Sequence, residues 1–232
     1  MIDLTTIFLR IFSKPLAIRR DRQMNKERML DILESGFGHH KSYVSKEARD
    51  KDGNPVPWFT YPAIEFLNSL DIRSLKVFEY GSGIGTLYWS KKVKKIVSVE
   101  SDESWYEKNK KYIKTNIYLA KNKKEYINKP LDLKTKFDVI ILDGKYRYDS
   151  ALVAIKCLNK NGILILDNSE WFKTVAKYLR SKGFTQIDFS GFGPVVYFPW
   201  KTSFFIKSNK LLKYKKSDYI PIGAYNQELD KE

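Results

Sequence analysis

The sequence predicts an α/β fold, in which helices cover both faces of a seven-stranded, mostly parallel sheet. The middle of the chain alternates short apolar strand patterns with helical patterns, which is typical of such sheets. Hydrophobic residues make up 43% and aromatic residues 15% of the 232 residues. That share is enough to form a core, and it excludes wholesale disorder.

Seven strands are predicted, and the fourth and fifth are the most continuously apolar, so we expect those two near the centre of the sheet. In chain order they are Lys76–Tyr80, Ile96–Val99, Asn116–Leu119, Phe137–Leu142, Ile163–Leu166, Thr185–Phe189 and Ser203–Lys207. The segment that joins the sixth and seventh strands carries no convincing helical pattern. The last strand is therefore expected to run antiparallel to its neighbours.

Helical patterns fall between these strands and just before the first one. They cover Ala63–Leu70, Glu103–Lys114, Ser150–Leu158 and Trp171–Ser181. The last of these patterns ends at Gly183, a residue that suits a helix stop.

We expect three parts along the chain: an N-terminal basic extension with a substrate or lid segment (1–71), the core (72–208) and a lysine-rich tail (209–232). Residues Ile2 to Ile18 could form an amphipathic helix that lies on a membrane surface or on a partner subunit. The opening lacks the features of a signal peptide, and no apolar run is long enough to span a membrane. The sequence therefore predicts a soluble, cytoplasmic protein.

The 42 basic and 27 acidic residues give a formal net charge of +15. This excess favours phosphates, acidic carbohydrate or anionic lipid surfaces as partners, although a lysine-biased composition without functional meaning explains it equally well. The single cysteine, Cys157, excludes an intramolecular disulfide framework and a thiolate-cluster metal site.

A glycine-rich turn follows the first predicted strand in the segment VFEYGSGIGT. Gly81, Gly83 and Gly85 permit unusual backbone angles and the close approach of a nucleotide-like ligand. The dinucleotide fingerprint would need a glycine at the position of Thr86. An NAD-linked oxidoreductase is therefore disfavoured, whereas a nucleotide-binding protein without transferase activity remains an alternative.

A carboxylate, Glu100, ends the second predicted strand in the segment VSVE. At this position, just beyond the glycine-rich turn, it can accept hydrogen bonds from both hydroxyls of a ribose. The alternative is a solvated acid at a strand end. Its place in the pattern favours the ribose-binding role.

These two motifs, together with FDVIILDG and GILILDN, resemble class I S-adenosylmethionine (SAM)-dependent methyltransferases over roughly Leu75 to Lys207. The resemblance implies a Rossmann-like sheet with an antiparallel last strand and a SAM-binding core at 72–208. It also implies that Glu79 lies near the aminoacyl end of the cofactor and that Glu100 holds the ribose. The cofactor-binding residues expected on this basis are Glu79, Tyr80, Gly81, Ser82, Gly83, Gly85, Thr86, Glu100 and Asp143.

Asp143 ends the fourth predicted strand, and Asp167 and Asn168 end the fifth. Carboxylate and amide oxygens suit magnesium or calcium, so a divalent cation is a predicted cofactor. The arrangement resembles metal-dependent catechol-type and caffeoyl-coenzyme-A-type O-methyltransferases, whose metal ion holds and acidifies a hydroxyl. Alternatively, Asp167 or Asn168 caps the helix that begins near Trp171, and Asp143 contacts substrate without a metal.

Because the sulfonium methyl group is already activated, the protein must mainly align the acceptor, and an alcohol must also lose a proton. Candidate catalytic residues are Asp143, Lys145, His39 and His40. Lys145 or Arg147 could assist deprotonation or neutralise charge. The adjacent histidines lie in a glycine-bearing stretch that could fold over the cleft, but they also fit plain surface residues.

The predicted acceptor is a hydroxyl of a small molecule or of a glycan sugar, with RNA methylation as the alternative. The fourth strand ends in LDGK and lacks the Asn/Asp-Pro-Pro-aromatic pattern that resemblance associates with methylation of exocyclic amines on bases. Trp58, Phe59, Tyr61 and Phe66 fit either a cleft wall or ordinary core. Peripheral contact with a membrane and a homo-oligomer are both compatible with the sequence.

Overall fold

The computed structural model describes residues 22–113, 116–215 and 219–224. Seven strands form one sheet, and several keep the predicted bounds to the residue. The strands are β1 (Lys76–Tyr80), β2 (Lys95–Glu100), β3 (Asn116–Leu119), β4 (Phe137–Leu142), β5 (Leu158–Asp167), β6 (Thr185–Gly191) and β7 (Trp200–Ile206).

The strands lie in the order β3-β2-β1-β4-β5-β7-β6, with β4 in the middle. Strands β1 to β5 pair in parallel, whereas β7 runs antiparallel to both β5 and β6. Residues 192–199, which join β6 to β7, contain no helix, and a parallel return would need a longer crossover. The predicted doubly wound sheet and its reversed last strand are confirmed.

Eight helices are described, and the four predicted ones are among them. They are α1 (residues 22–31, continued by a π-helical turn at Ile32–Gly36), α2 (His39–Ser45), α3 (Tyr61–Ser69), α4 (Ile84–Lys92), α5 (Glu103–Lys110), α6 (Lys123–Asp132), α7 (Arg147–Cys157) and α8 (Lys173–Ser181). Sequence patterns missed α6 because it buries only Tyr126 and Pro130, and an internal proline normally argues against a helix.

Successive side chains along each central strand point to opposite faces of the sheet and build two cores. On one face, Val77 and Ile141 pack with side chains of α3 and α4. On the other face, Phe78 and Ile140 pack with α7 and α8. With both faces covered in this way, the carboxyl ends of β1, β2, β4 and β5 meet at one open edge of the sheet, where ligands bind in such folds.

The flanking segments lie against the core. Ile64 and Leu67 of α3 are buried in it, although the predicted boundary assigns α3 to the extension. The Asp71 amide donates to the Lys213 carbonyl (2.7 Å), and the Lys215 amide donates to the Ser69 carbonyl (3.1 Å). The three-part division stays a prediction.

The predicted amphipathic helix at Ile2 to Ile18 lies outside the residues that the structure describes. Within the described ranges, no helix is both long enough and apolar enough to cross a membrane.

Candidate functional site

A cavity of about 450 Å³ opens at the carboxyl edge of the sheet. The sequence-predicted site residues that line it are Glu79, Tyr80, Gly81, Ser82, Gly83, Gly85, Glu100, Asp143, Lys145, Asp167 and Asn168. The cavity therefore unites nearly all of the residues predicted for the cofactor and for the acceptor chemistry.

The turn between β1 and α4 depends on Gly81, whose φ of +95° is accessible to few other residues. A Cβ atom there would lie 3.3 Å from the Asp143 carbonyl oxygen. Thr86 does not line the cavity and instead supports the turn, because its hydroxyl oxygen accepts from the Gly83 amide at 3.1 Å. The turn thus brings backbone to the cavity wall without a side chain in between.

Glu79 is buried at the end of β1, and one of its oxygens, Oε2, accepts two hydroxyl hydrogen bonds. The donors are Thr86 Oγ1 at 2.5 Å and Ser98 Oγ at 2.8 Å. Burial raises the pKa of Glu79 to about 8, although these two hydrogen bonds act in the opposite direction. Glu79 is therefore a carboxyl group that a cationic ligand group would ionise.

Glu100 at the end of β2 is held by backbone amides. Its Oε1 accepts from the amides of Ser101 (2.6 Å) and Asp102 (2.9 Å). Its Oε2 accepts from the Ser82 amide (3.0 Å) and the Ser82 hydroxyl (3.2 Å). Of these four donors the Ser82 hydroxyl is the one that a ligand hydroxyl can replace without moving the backbone.

Helix α5 and the turn that follows it contribute four cavity residues that the sequence reasoning missed, namely Trp105, Lys108, Asn109 and Tyr112. The Trp105 indole N–H donates to the Ser82 carbonyl oxygen, which fixes the ring beside the glycine-rich turn. The signal was present in the sequence, since the predicted helix starts at Glu103, three residues after Glu100, and carries Trp105 in its first turn.

The predicted metal ligands meet around a cation of the protein itself, Arg147. Its Nη2 donates to Asp143 Oδ1 at 2.9 Å, and its Nη1 donates to Asn168 Oδ1 at 3.2 Å. Asp167 Oδ1 instead accepts from Trp200 Nε1 (3.0 Å) and from a β7 hydroxyl, Thr202 Oγ1 (2.6 Å). Burial raises the pKa of Asp167 well above its ordinary value, and the nearby Asp143 carboxylate adds to this rise.

As arranged in this structure, these donors do not fit a divalent cation. The guanidinium of Arg147 contacts two of the three predicted ligands, and β7 side chains hold the third. Among the described residues, no group of three or more His, Cys, Asp or Glu side chains could hold a metal ion. The metal site stays a prediction, and this geometry does not support it.

The two histidines lie away from the cavity lining. His39 is buried, its Nδ1 lies 3.1 Å from Tyr61 Oη, and burial lowers its pKa. His40 is exposed. Their predicted catalytic role has no support from this placement, because the structure joins His39 to an aromatic cluster with Tyr61 and Tyr197.

Aromatic side chains form much of the cavity wall. The chain contains five tryptophans, and four of them line the cavity, namely Trp58, Trp105, Trp171 and Trp200. Of the four aromatic residues that sequence reasoning placed in a cleft wall or core, Trp58 and Phe59 line the cavity, whereas Tyr61 and Phe66 do not.

The loop between β6 and β7 completes this wall with Val196 and Phe198. The preceding residue, Val195, is buried and has a φ of +78°, which is a strained conformation for a β-branched residue. Sequence patterns could not reveal this contribution, because the loop carries no regular periodicity.

No protein-family model matches the chain, and neither does any curated protein. Solved structures that are similar in fold include methyltransferases. One is a precorrin-6y C5,15-methyltransferase from Geobacter metallireducens, 14% identical, covering 63% of this chain and 88% of that chain with a TM-score of 0.49. Another is the O-methyltransferase TomG from Streptomyces achromogenes. It is 12% identical and covers 64% of this chain and 78% of that chain, with a TM-score of 0.44.

A spermidine synthase in complex with the transition-state analogue AdoDATO is also similar, at 22% identity, covering 68% of this chain and 65% of that chain with a TM-score of 0.45. The strand order and strand directions themselves establish the Rossmann-like fold.

Replacing Glu79 by Gln should make stability depend less on pH. Because the pKa of Glu79 is raised to about 8, the folded protein binds this proton more tightly than the unfolded chain does. Its stabilising contribution is complete below about pH 4.5 and is lost as the pH rises through about 8. Between about pH 5 and about pH 9, the Tm of Glu79→Gln should therefore rise relative to the wild type in thermal denaturation.

The amide oxygen of the glutamine can accept the same two hydroxyl hydrogen bonds, so the substitution tests charge rather than packing. Glu103→Gln, at an exposed position, serves as the matched control. A Tm difference between Glu79→Gln and the wild type that stays constant over this pH range would contradict the assignment.

Proposed function

We propose that this protein is a SAM-dependent methyltransferase that methylates a hydroxyl group of a small molecule or of a glycan sugar. The observation that carries the proposal is the pair of carboxyl groups on neighbouring strands. Glu79 of β1 and Glu100 of β2 flank the glycine-rich turn and face the same cavity. A ligand with a cationic amino group at one end and a ribose diol at the other matches these two carboxyl groups, one for each end of the ligand.

Each part of the cofactor has a proposed partner in this cavity. Glu79 pairs with the amino group, Glu100 accepts hydrogen bonds from the ribose, and Gly81 and Gly83 allow the ligand to approach the backbone. The Trp105 ring, fixed beside the turn, offers an aromatic face for the adenine base.

The aromatic wall apart from Trp105 is proposed to bind the acceptor. Trp58, Trp171 and Trp200 present apolar ring surfaces that suit a ring-shaped acceptor, and Asn168 and Arg147 add polar groups among them. Three tryptophans around the proposed acceptor suit stacking against a compact ring. A ring-shaped small molecule or a sugar is therefore the proposed acceptor.

The proposed reaction is a displacement at the methyl carbon. An oxygen lone pair of the acceptor forms the new C–O bond, the C–S bond breaks, and its electron pair returns to the sulfur to give a neutral thioether. The acceptor proton passes to a base, for which we propose Asp143, with Lys145 at the rim to balance charge. Burial raises the pKa of Asp143 to about 6, although the Arg147 guanidinium lowers it, so this carboxylate is poised near neutral pH.

Replacing Glu100 by Gln should weaken SAM binding by about tenfold or more, because hydrogen bonds to a charged group contribute about 1.5–3 kcal/mol. Isothermal titration with SAM, S-adenosylhomocysteine and NADH measures this effect. Glu103→Gln, close in sequence but not among the lining residues, should bind SAM like the wild type. Equal SAM affinity of Glu100→Gln and wild type, or binding of NADH alone, would contradict the proposal.

Once a screen of acceptors by S-adenosylhomocysteine release has identified one, Trp171→Ala should raise its KM about tenfold. The SAM affinity should stay unchanged, because Trp171 lies with the acceptor groups and its side chain is exposed enough to be dispensable for folding. Tyr214→Ala, an exposed aromatic residue that does not line the cavity, is the control. A lower SAM affinity with an unchanged acceptor KM would reverse the proposed assignment of the two walls.

A further inference from the structure

Arg147 donates four hydrogen bonds at the carboxyl edge of the sheet. Its Nε donates to the Gly144 carbonyl oxygen at 3.1 Å, and its Nη1 donates both to the Asp167 carbonyl oxygen and to Asn168 Oδ1. Its Nη2 donates to Asp143 Oδ1 at 2.9 Å. These bonds use four of the five N–H groups that a guanidinium carries.

The side chain is also packed, with 10% of its surface exposed. The guanidinium carbon lies 4.3 Å from the centre of the Phe172 ring, so a cation–π contact adds to the hydrogen bonds that hold the guanidinium in place. An arginine with this many fixed contacts has one position available to it. It is part of the site and not a mobile surface charge.

The backbone on both sides of this network is held in an uncommon conformation. Tyr146, just before Arg147, has a φ of +55°, and Asn168 has a φ of +53°. Residues other than glycine adopt such angles rarely, and they persist where the surrounding structure enforces them. Arg147 is moreover the first residue of α7, where the positive end of the helix dipole opposes a cation. The contacts with Asp143 and Asn168 offset these costs.

We infer that Arg147 is the resident cation of this site and occupies the place where the resemblance to metal-dependent O-methyltransferases expects a divalent ion. The guanidinium already binds the Asp143 carboxylate and the Asn168 amide oxygen, which are two of the three predicted metal ligands. A guanidinium is a fixed positive charge, so it would repel a second cation placed between the same donors. The protein therefore takes no divalent ion at this position.

The use of this charge in methyl transfer rests on the proposed function, whereas the exclusion of a metal ion does not. If the proposed function holds, Arg147 fixes the Asp143 carboxylate and supplies the positive charge that balances the acceptor oxygen as its proton leaves. The reaction would then proceed without a divalent ion.

Binding of Mn²⁺ to the full chain, followed by electron paramagnetic resonance and isothermal titration, tests the inference without any turnover. Wild type should show no stoichiometric Mn²⁺ site. Arg147→Met, which removes the charge but keeps apolar volume against Phe172, should gain one stoichiometric Mn²⁺ site that wild type lacks. Adding Asp143→Asn to that variant should abolish the gained site.

Arg147→Lys retains a positive charge and should still exclude Mn²⁺, and Arg180→Met, which removes an arginine on exposed α8 surface, is the matched control. Circular dichroism confirms that each variant is folded, and Arg147→Gln replaces the Met variant if that one is not. Titration of the same samples with SAM reports separately on the proposed function.

The inference is overturned if wild type binds one Mn²⁺ in a manner that Asp143→Asn removes. It is also overturned if a folded, neutral Arg147 variant binds no more Mn²⁺ than wild type. In that case Asp143 and Asn168 would not bind a metal ion even without the guanidinium, and Arg147 would not occupy a metal position.

Discussion

The whole site depends on the close approach of two backbone turns where β1 and β4 leave the sheet. Gly81 follows β1 and Gly144 lies just beyond β4, and a Cβ atom on Gly144 would lie 2.8 Å from the Gly81 nitrogen. Two adjacent parallel strands can end this close together only if neither turn carries a side chain at the contact. The contact places Glu79 and Asp143 beside each other, and thus joins the proposed cofactor wall to the proposed acceptor wall.

The sequence predicted the sheet well where apolar runs coincide with strands. The bounds of β1, β3 and β4 agree to the residue, whereas β5 begins five residues before the predicted Ile163. Its first four residues, Leu158 to Asn161, are not fully buried. Leu158 pairs with Phe137, and the register then shifts before Ile163 pairs with Val139. A strand is predicted mainly from its apolar pattern, so partly exposed strand ends escape the prediction.

The residues of the candidate site also fall into those that the sequence could predict and those that it could not. Glu79 and Glu100 were predictable because strand ends and a glycine-rich turn fix the position of a side chain along the chain. His39 was not, because its burial depends on Tyr61, a contact between residues that are 22 positions apart. The donors Asp143 and Asn168 were found by residue type, but residue type could not tell which cation lies between them. The structure is needed to show that the Arg147 side chain, from the first turn of α7, reaches the position between them.

Net charge is a poor guide to this cavity. The excess of +15 belongs to the chain as a whole. The cavity is lined by five carboxyl groups, namely Glu47, Glu79, Glu100, Asp143 and Asp167, and by four basic side chains, namely Lys46, Lys108, Lys145 and Arg147. Such a site can admit a cationic cofactor although the molecule as a whole attracts anions, because short-range contacts outweigh a screened surface charge.

The two walls also differ in origin. Strand ends and the turn after β1 build the proposed cofactor wall, whereas loops around Trp58, Trp171 and Phe198 build much of the acceptor wall. Since loops vary more readily than the sheet that carries them, acceptor preference can change in this architecture while the cofactor wall stays the same.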